Sequence, residues 1–149
     1  MGEYMKIVIE DVKEGQEDEI IIRCNRLDES LLQMIYGVKM QQKKLVGISD
    51  GQMHMIDADD VYYFEAVDNK IFIYCEKRVF ESRLKLYEIE EEYTNTDFFR
   101  ASKSTIINLA KIQKLSPAFN GRFEVLLNNK EKVIISRQFV PELKKKLGL

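Results

Sequence analysis

Between Phe98 and Asn108 the chain runs Phe-Phe-Arg-Ala-Ser-Lys-Ser-Thr-Ile-Ile-Asn. Two cations, Arg100 and Lys103, stand among three hydroxyls, Ser102, Ser104 and Thr105, with no carboxylate in the stretch. Guanidinium and ammonium groups supply charge-assisted donors and hydroxyls supply neutral ones, so this chemistry suits an anion. A nucleophilic role for Ser102 or Ser104 needs a base and a group to orient that base. The only histidine, His54, is distant in sequence, and a Ser104–Lys103 pair has no third member. No enzyme is expected.

Other residues that could do chemistry lead nowhere. His54 has no Cys or His at metal-ligand spacing, so no metal site is expected. Asp57, Asp59 and Asp60 lack the Gly and Glu that follow in a calcium loop, and suit a solvated turn. Gly47, Gly51 and Gly121 are scattered and form no phosphate-cradling loop. No cofactor is expected. Cys24 and Cys75 lie in apolar runs and are expected to be reduced, buried or half-buried packing residues.

Charge supports the anion reading by its distribution. The net charge of the 149 residues is −2. Residues 1–99 hold 12 Lys+Arg against 22 Asp+Glu, and residues 100–149 hold 11 against 3. A basic final third on an acidic chain is a mark of a polyanion-binding face, although folding can also neutralise such a gradient.

The elements that must position these residues are short. Met5–Val12 and Ile20–Cys24 are β-rich runs separated by an acidic turn around Gly15. Asp28 suits a helix N-cap, and Leu31, Leu32, Ile35 and Val38 give helical spacing over Glu29–Gln42. From Lys44 the texture changes to eight or more short strands separated by turns, including Asp50-Gly51 and Asn128-Asn129-Lys130. A helix is expected from Ser82 to Tyr93, and a last helix after Ser136 with Pro141 in its first turn and Gly148 at its end. The expected class is mainly β (α+β). A strand–strand–helix extension over 1–43, a candidate dimerisation unit too small to stand alone, precedes a β-rich domain over 44–149.

No apolar run approaches the roughly 20 residues that span a bilayer, and no signal segment is visible. A cytoplasmic location is expected. Met5 is read as the natural start, with residues 1–4 as a cloning remnant.

The central stretch resembles the core motif of the LytTR family of bacterial DNA-binding domains, Phe-x-Arg-x-His-Arg/Lys-Ser followed three residues later by Asn. Phe98, Arg100, Lys103, Ser104 and Asn108 match, and Ser102 stands where the family usually has His. Phe64-Glu65-Ala66 with Asn69-Lys70 resembles the family's strand–turn signature, the Leu84–Tyr93 helix falls where the family has one, and Ile135-Ser136-Arg137 resembles its final Val-Ser-Arg. The matches keep their order over about two-thirds of the chain.

The resemblance implies an elongated arrangement of small β-sheets whose loops enter successive major grooves, with no recognition helix. By position it implies DNA contacts from Asn69 or Lys70, from Ser102 and Lys103 with Ser104 beside them, and from Arg137. Arg137 suits a bidentate guanine contact, or else pairs with a carboxylate such as Glu65. Arg100 either contacts phosphate or braces the loop, and Lys111, Lys114, Arg122 and Lys130 are further phosphate candidates. The resemblance is to short stand-alone regulators binding double-stranded DNA as homodimers; some of these are encoded beside a small membrane protein that restrains them. The opposing reading is a protein-interaction or small-ligand sensing module that has lost DNA binding, motivated by Ser102 and the acidic first two-thirds.

Overall fold

A computed structural model describes residues 5–149 of the chain, so the reading of residues 1–4 lies outside it. The first regular element is α1 (Glu29–Gln42), where the Asp28 carboxylate accepts the Leu31 N–H at 3.0 Å. That bond satisfies one of the orphan donors of the first turn, as the sequence suggests.

Ten strands follow α1. A seven-stranded sheet contains β1 (Lys44–Ser49), β2 (Gln52–Asp57), β3 (Val61–Val67), β4 (Lys70–Cys75), β5 (Val79–Ser82), β6 (Phe98–Arg100) and β7 (Thr105–Asn108), in the order β2-β1-β5-β4-β3-β7-β6. A three-stranded sheet contains β8 (Ile112–Pro117), β9 (Phe123–Leu127) and β10 (Lys132–Ile135), in the order β10-β9-β8. The pairings that define these sheets are antiparallel. Helix α2 (Leu86–Glu92) lies between β5 and β6, and α3 (Val140–Leu147) closes the chain.

Two cores explain the order of the strands. In one, Phe64, Ile73, Phe80, Phe98 and Ile106 pack against Leu86, Ile89 and Tyr93, with Met40 of α1 joining them. In the other, Tyr62, Phe99 and Ile107 pack against Val125, Leu127 and Ile135 of the small sheet and Val140 and Leu143 of α3. Strands β6 and β7 therefore carry apolar side chains into both cores, and all four residues of β7 are buried. A strand buried on both faces has no need to alternate, which is why the central stretch shows no clean periodicity.

Three expectations need correction. Met5–Val12 and Ile20–Cys24 do not form strands: residues 5–28 pair with no strand, and Ile7 and Ile9 are 86% and 89% exposed. Two lone apolar strands joined by an acidic turn are marginal in water without a third strand or a covering helix. Cys24 is consequently exposed rather than packed, while Cys75 is half-buried, and both are free thiols. Burial pushes the Cys75 thiol up to about 11. Finally, Ser82 ends β5 instead of capping α2. Its hydroxyl accepts the Leu84 N–H at 3.0 Å, and the helix starts after Lys85, whose N–H is held by Glu88 at 3.0 Å.

The C-terminal helix is as expected in outline. A single helical turn (Arg137–Phe139) leads into α3, Pro141 occupies its first turn, and Gly148 ends it in a left-handed conformation (φ 72°). The Ser136 side chain makes no capping hydrogen bond there.

Candidate nucleic-acid interface

The loop of the central motif is held by its own arginine. Arg100 is half-buried, its Nε donates to the Ser102 carbonyl at 2.7 Å and its Nη2 to the Lys103 carbonyl at 2.9 Å. One guanidinium fork thus fixes two successive carbonyls, a geometry lysine cannot reproduce. The Ser102 hydroxyl accepts the Ser104 N–H at 3.2 Å and lies 3.4 Å from the Ser104 hydroxyl. Of the two roles open to Arg100, the structure displays the brace. Ser102, where the resemblance expects His, folds back on the loop.

Two further motif residues belong to the framework. Phe98 is buried and stacks edge-on with Phe64 and Tyr93. Asn108 is fully buried; its amide donates to the Val61 carbonyl at 2.8 Å and its oxygen accepts the Ala110 N–H at 3.0 Å. Lys103 is left as the exposed cation of the motif.

Strand register brings distant loops to one edge. Glu65 pairs with Thr105, and the Ala66 N–H donates to the Ser104 carbonyl at 2.8 Å, so the Asp68-Asn69 turn abuts the Arg100–Thr105 loop. Asp68 and Asn69 both sit in the left-handed region (φ 51° and 64°), which Asp and Asn tolerate better than most residues. Between turn and loop lies an open groove of about 440 Å³, lined by Asp68, Asn69, Lys85, Arg100 and Lys103 among others. Lys70 begins β4 and is held 3.8 Å from Glu81, both partly exposed.

The small sheet delivers Arg137 to the same edge. The Ser136 N–H donates to the Ala101 carbonyl at 2.8 Å, which ties the end of β10 to the central loop. A second groove, of about 330 Å³, contains Ser102, Arg122 and Ser136. Arg137 is exposed, and its chain runs alongside Gly121: a Cβ there would meet Arg137 Cδ at 3.0 Å. No ion pair of Arg137 with Glu65 forms among the described residues; Glu65 instead accepts from the Tyr74 hydroxyl at 3.3 Å.

The candidate phosphate residues separate. Arg122 joins this edge. Lys111 and Lys130 lie at the opposite end of the small sheet, where Asn128 N–H donates to the Lys111 carbonyl at 2.9 Å, and Lys111 sits over the Tyr62 ring. Lys114 is exposed partway along β8. Sequence reading missed Arg83 and Lys85, which the pairing of Ile71 with Ser82 brings to the loop edge. It grouped Arg122 with Lys111, Lys114 and Lys130 because strand register, which the sequence does not display, decides which turns share an end.

An antiparallel β module whose cation-bearing loops share one edge has the charge to suit an anion, and comparison with known proteins gives its kind. The LytTr DNA-binding domain family matches residues 51–148. The chain belongs to that family. The sensory transduction protein LytT of Enterococcus faecalis is 32% identical over 100 residues, 67% of this chain. The match spans 41% of that longer relative. An HTH-type transcriptional regulator of Staphylococcus aureus strain MRSA252 is 29% identical over 135 residues, covering 89% of this chain and 91% of the relative. A solved LytTr DNA-binding domain from Bacillus cereus superposes with a TM-score of 0.68 over 71% of this chain and 97% of that one, at 24% identity, which shows the fold. Despite the name of the staphylococcal relative, no two α-helices follow one another directly among the described residues: β6 to β10 separate α2 from α3. No described helix is long and apolar enough to cross a membrane.

Proposed function

We propose that this protein is a sequence-specific transcriptional regulator that lays its loop edge along double-stranded DNA, and that it does so as a homodimer on repeated half-sites. The observation that supports the reading most directly is the shared edge. The Asn69 turn, the Lys103 loop and Arg137 come from three separate parts of the chain, and hydrogen bonds of 2.8 Å tie neighbouring pairs of these segments together. Lys103, Arg122 and the Arg83–Lys85 segment hold phosphates and set register, while Arg137 and Asn69 reach base edges in the major groove. Arg100 acts behind them by keeping the central loop in shape.

The homodimer is supported by the apolar residues ahead of α1. Ile7, Val8, Ile9, Ile20 and Ile21 are 61–89% exposed on one copy. Two copies covering these residues would bury them and bring two loop edges onto adjacent half-sites.

The test is a mobility-shift titration on duplex DNA taken from upstream of the protein's own gene, repeated across salt concentrations. Specific retention whose log affinity falls linearly with log salt is expected. The Lys103→Ala/Arg137→Ala double variant should lose about 100-fold or more in specific affinity, on about 1–3 kcal/mol for a base contact plus a lost phosphate contact. Full retention by that variant refutes the assigned contacts.

A further inference from the structure

The turn between β8 and β9 is absent from the motifs that mark the family, yet it stands on the loop edge. Pro117 pairs with Phe123, and Ile135 pairs with Phe123 from the other side, so Ala118–Arg122 projects beside the Ser136–Arg137 segment. The turn is closed: Ala118 N–H donates to the Arg122 carbonyl at 2.8 Å, and Arg122 N–H to the Phe119 carbonyl at 3.3 Å. Asn120 and Gly121 are both left-handed (φ 59° and 74°). Phe119 is 83% exposed at its tip. Single exposed apolar residues are common and usually idle. This one is displayed by a closed turn, beside two arginines, on the edge already assigned to DNA.

We propose that Ala118–Arg122 is a further DNA-contacting element, in which Phe119 packs on a thymine methyl group in the major groove beside the phosphate held by Arg122. The proposal rests on the DNA-binding reading above. The thymine C5-methyl is the apolar feature that the major groove offers and the minor groove does not. Charge complementarity favours the same partner, since Arg122 closes the turn, the Arg137 stem runs beside Gly121 and no carboxylate lies within the turn. Gly121 completes the arrangement: without a side chain it leaves room for the Arg137 stem, whose Cδ lies 3.0 Å from where a Cβ would stand, so both groups reach the same stretch of duplex.

The test uses the full chain and duplexes selected by it from a random pool. Each thymine of the selected site is replaced in turn by deoxyuridine, which lacks only the methyl. Wild-type protein should lose about fourfold in affinity at one thymine flanking the Arg137 contact, the effect of one buried methyl group. Phe119→Ala should be weaker by a similar or larger factor and indifferent to that replacement, with thermal unfolding unchanged because the ring is exposed. Arg122→Ala should lower the slope of log affinity against log salt by about 0.9. Wild-type binding matched by Phe119→Ala and Arg122→Ala overturns this element alone. A loss in Phe119→Ala that no deoxyuridine replacement reproduces overturns the methyl contact. A wild-type protein that selects no duplex at low salt overturns both this proposal and the function beneath it.

Discussion

The Asn108 amide donates to the Val61 carbonyl at 2.8 Å, 47 residues away in sequence, at a point where neither atom meets water. The same side chain takes the Ala110 N–H, so one residue closes the end of β7 against β3 and starts the turn into β8. Replacing it by Ala leaves a buried carbonyl and an N–H without partners. The expected loss is about 2 kcal/mol in urea unfolding. Well below the melting range, specific DNA affinity should stay within about twofold, because Asn108 lies at the end of β7 away from the loop edge. A large affinity loss in a folded variant would add Asn108 to the DNA contacts.

Arg100 separates two meanings of a basic residue at a DNA-binding edge. As a brace, its replacement by Ala frees the Ser102 and Lys103 carbonyls and loosens the loop. Specific affinity should fall by about tenfold or more while the slope of log affinity against log salt stays put. As a phosphate ligand, its loss would reduce that slope by about 0.9. Arg100→Lys should rescue little, since an ammonium cannot fork to two carbonyls at 2.7 and 2.9 Å.

Alkaline pH should destabilise the fold through Tyr93. Burial, with Glu92 nearby, raises its phenol to about 12 from the ordinary 10.0. A group whose folded value is raised contributes stability that is complete below the unfolded value and is lost as pH climbs through the folded one. Urea midpoints should therefore fall between about pH 10 and pH 12. Tyr93→Phe should flatten that fall, measured against the wild-type profile. Tyr62, Tyr63 and Tyr74 are raised in the same direction by burial first, so some slope will persist.

The residues ahead of α1 should control assembly. Ile7→Asp with Ile9→Asp places two charges where the single copy exposes apolar side chains, so the monomer fold should be unaffected and thermal unfolding of a dilute sample should not drop. Sedimentation equilibrium should show a dimer for wild type and a monomer for the variant. A dimer that survives both substitutions would move the interface elsewhere.

Much of the framework was legible in the chain. Asp28 and the Leu31–Val38 spacing located α1, the Asp50-Gly51 and Asn128–Lys130 turns located two hairpins, and Gly148 located the last helix end. These signals are local, and local backbone preference decides them. Met5–Val12 and Ile20–Cys24 misled because β-branched residues specify extended chain, not a partner to pair with. The Phe98–Asn108 stretch was recognisable by motif, but its roles were not: spacing alone cannot tell that Phe98 and Asn108 are interior, that Arg100 turns inward, or that Lys103 turns out. Arg122 and Arg137 became neighbours only through the register of β9 and β10.

The way the loops are fastened has an evolutionary corollary. Ala66 to Ser104, Ser136 to Ala101 and Arg100 to Ser102 and Lys103 all engage main-chain carbonyls, so the identities of the side chains at 69, 103 and 137 carry none of the fastening. Positions 103 and 137 can change one at a time without eroding the scaffold, and position 69 can do so among residues that accept its left-handed backbone (φ 64°). A duplicated copy could acquire a new operator by drift at a few exposed sites, while its fold and its stability stayed inherited.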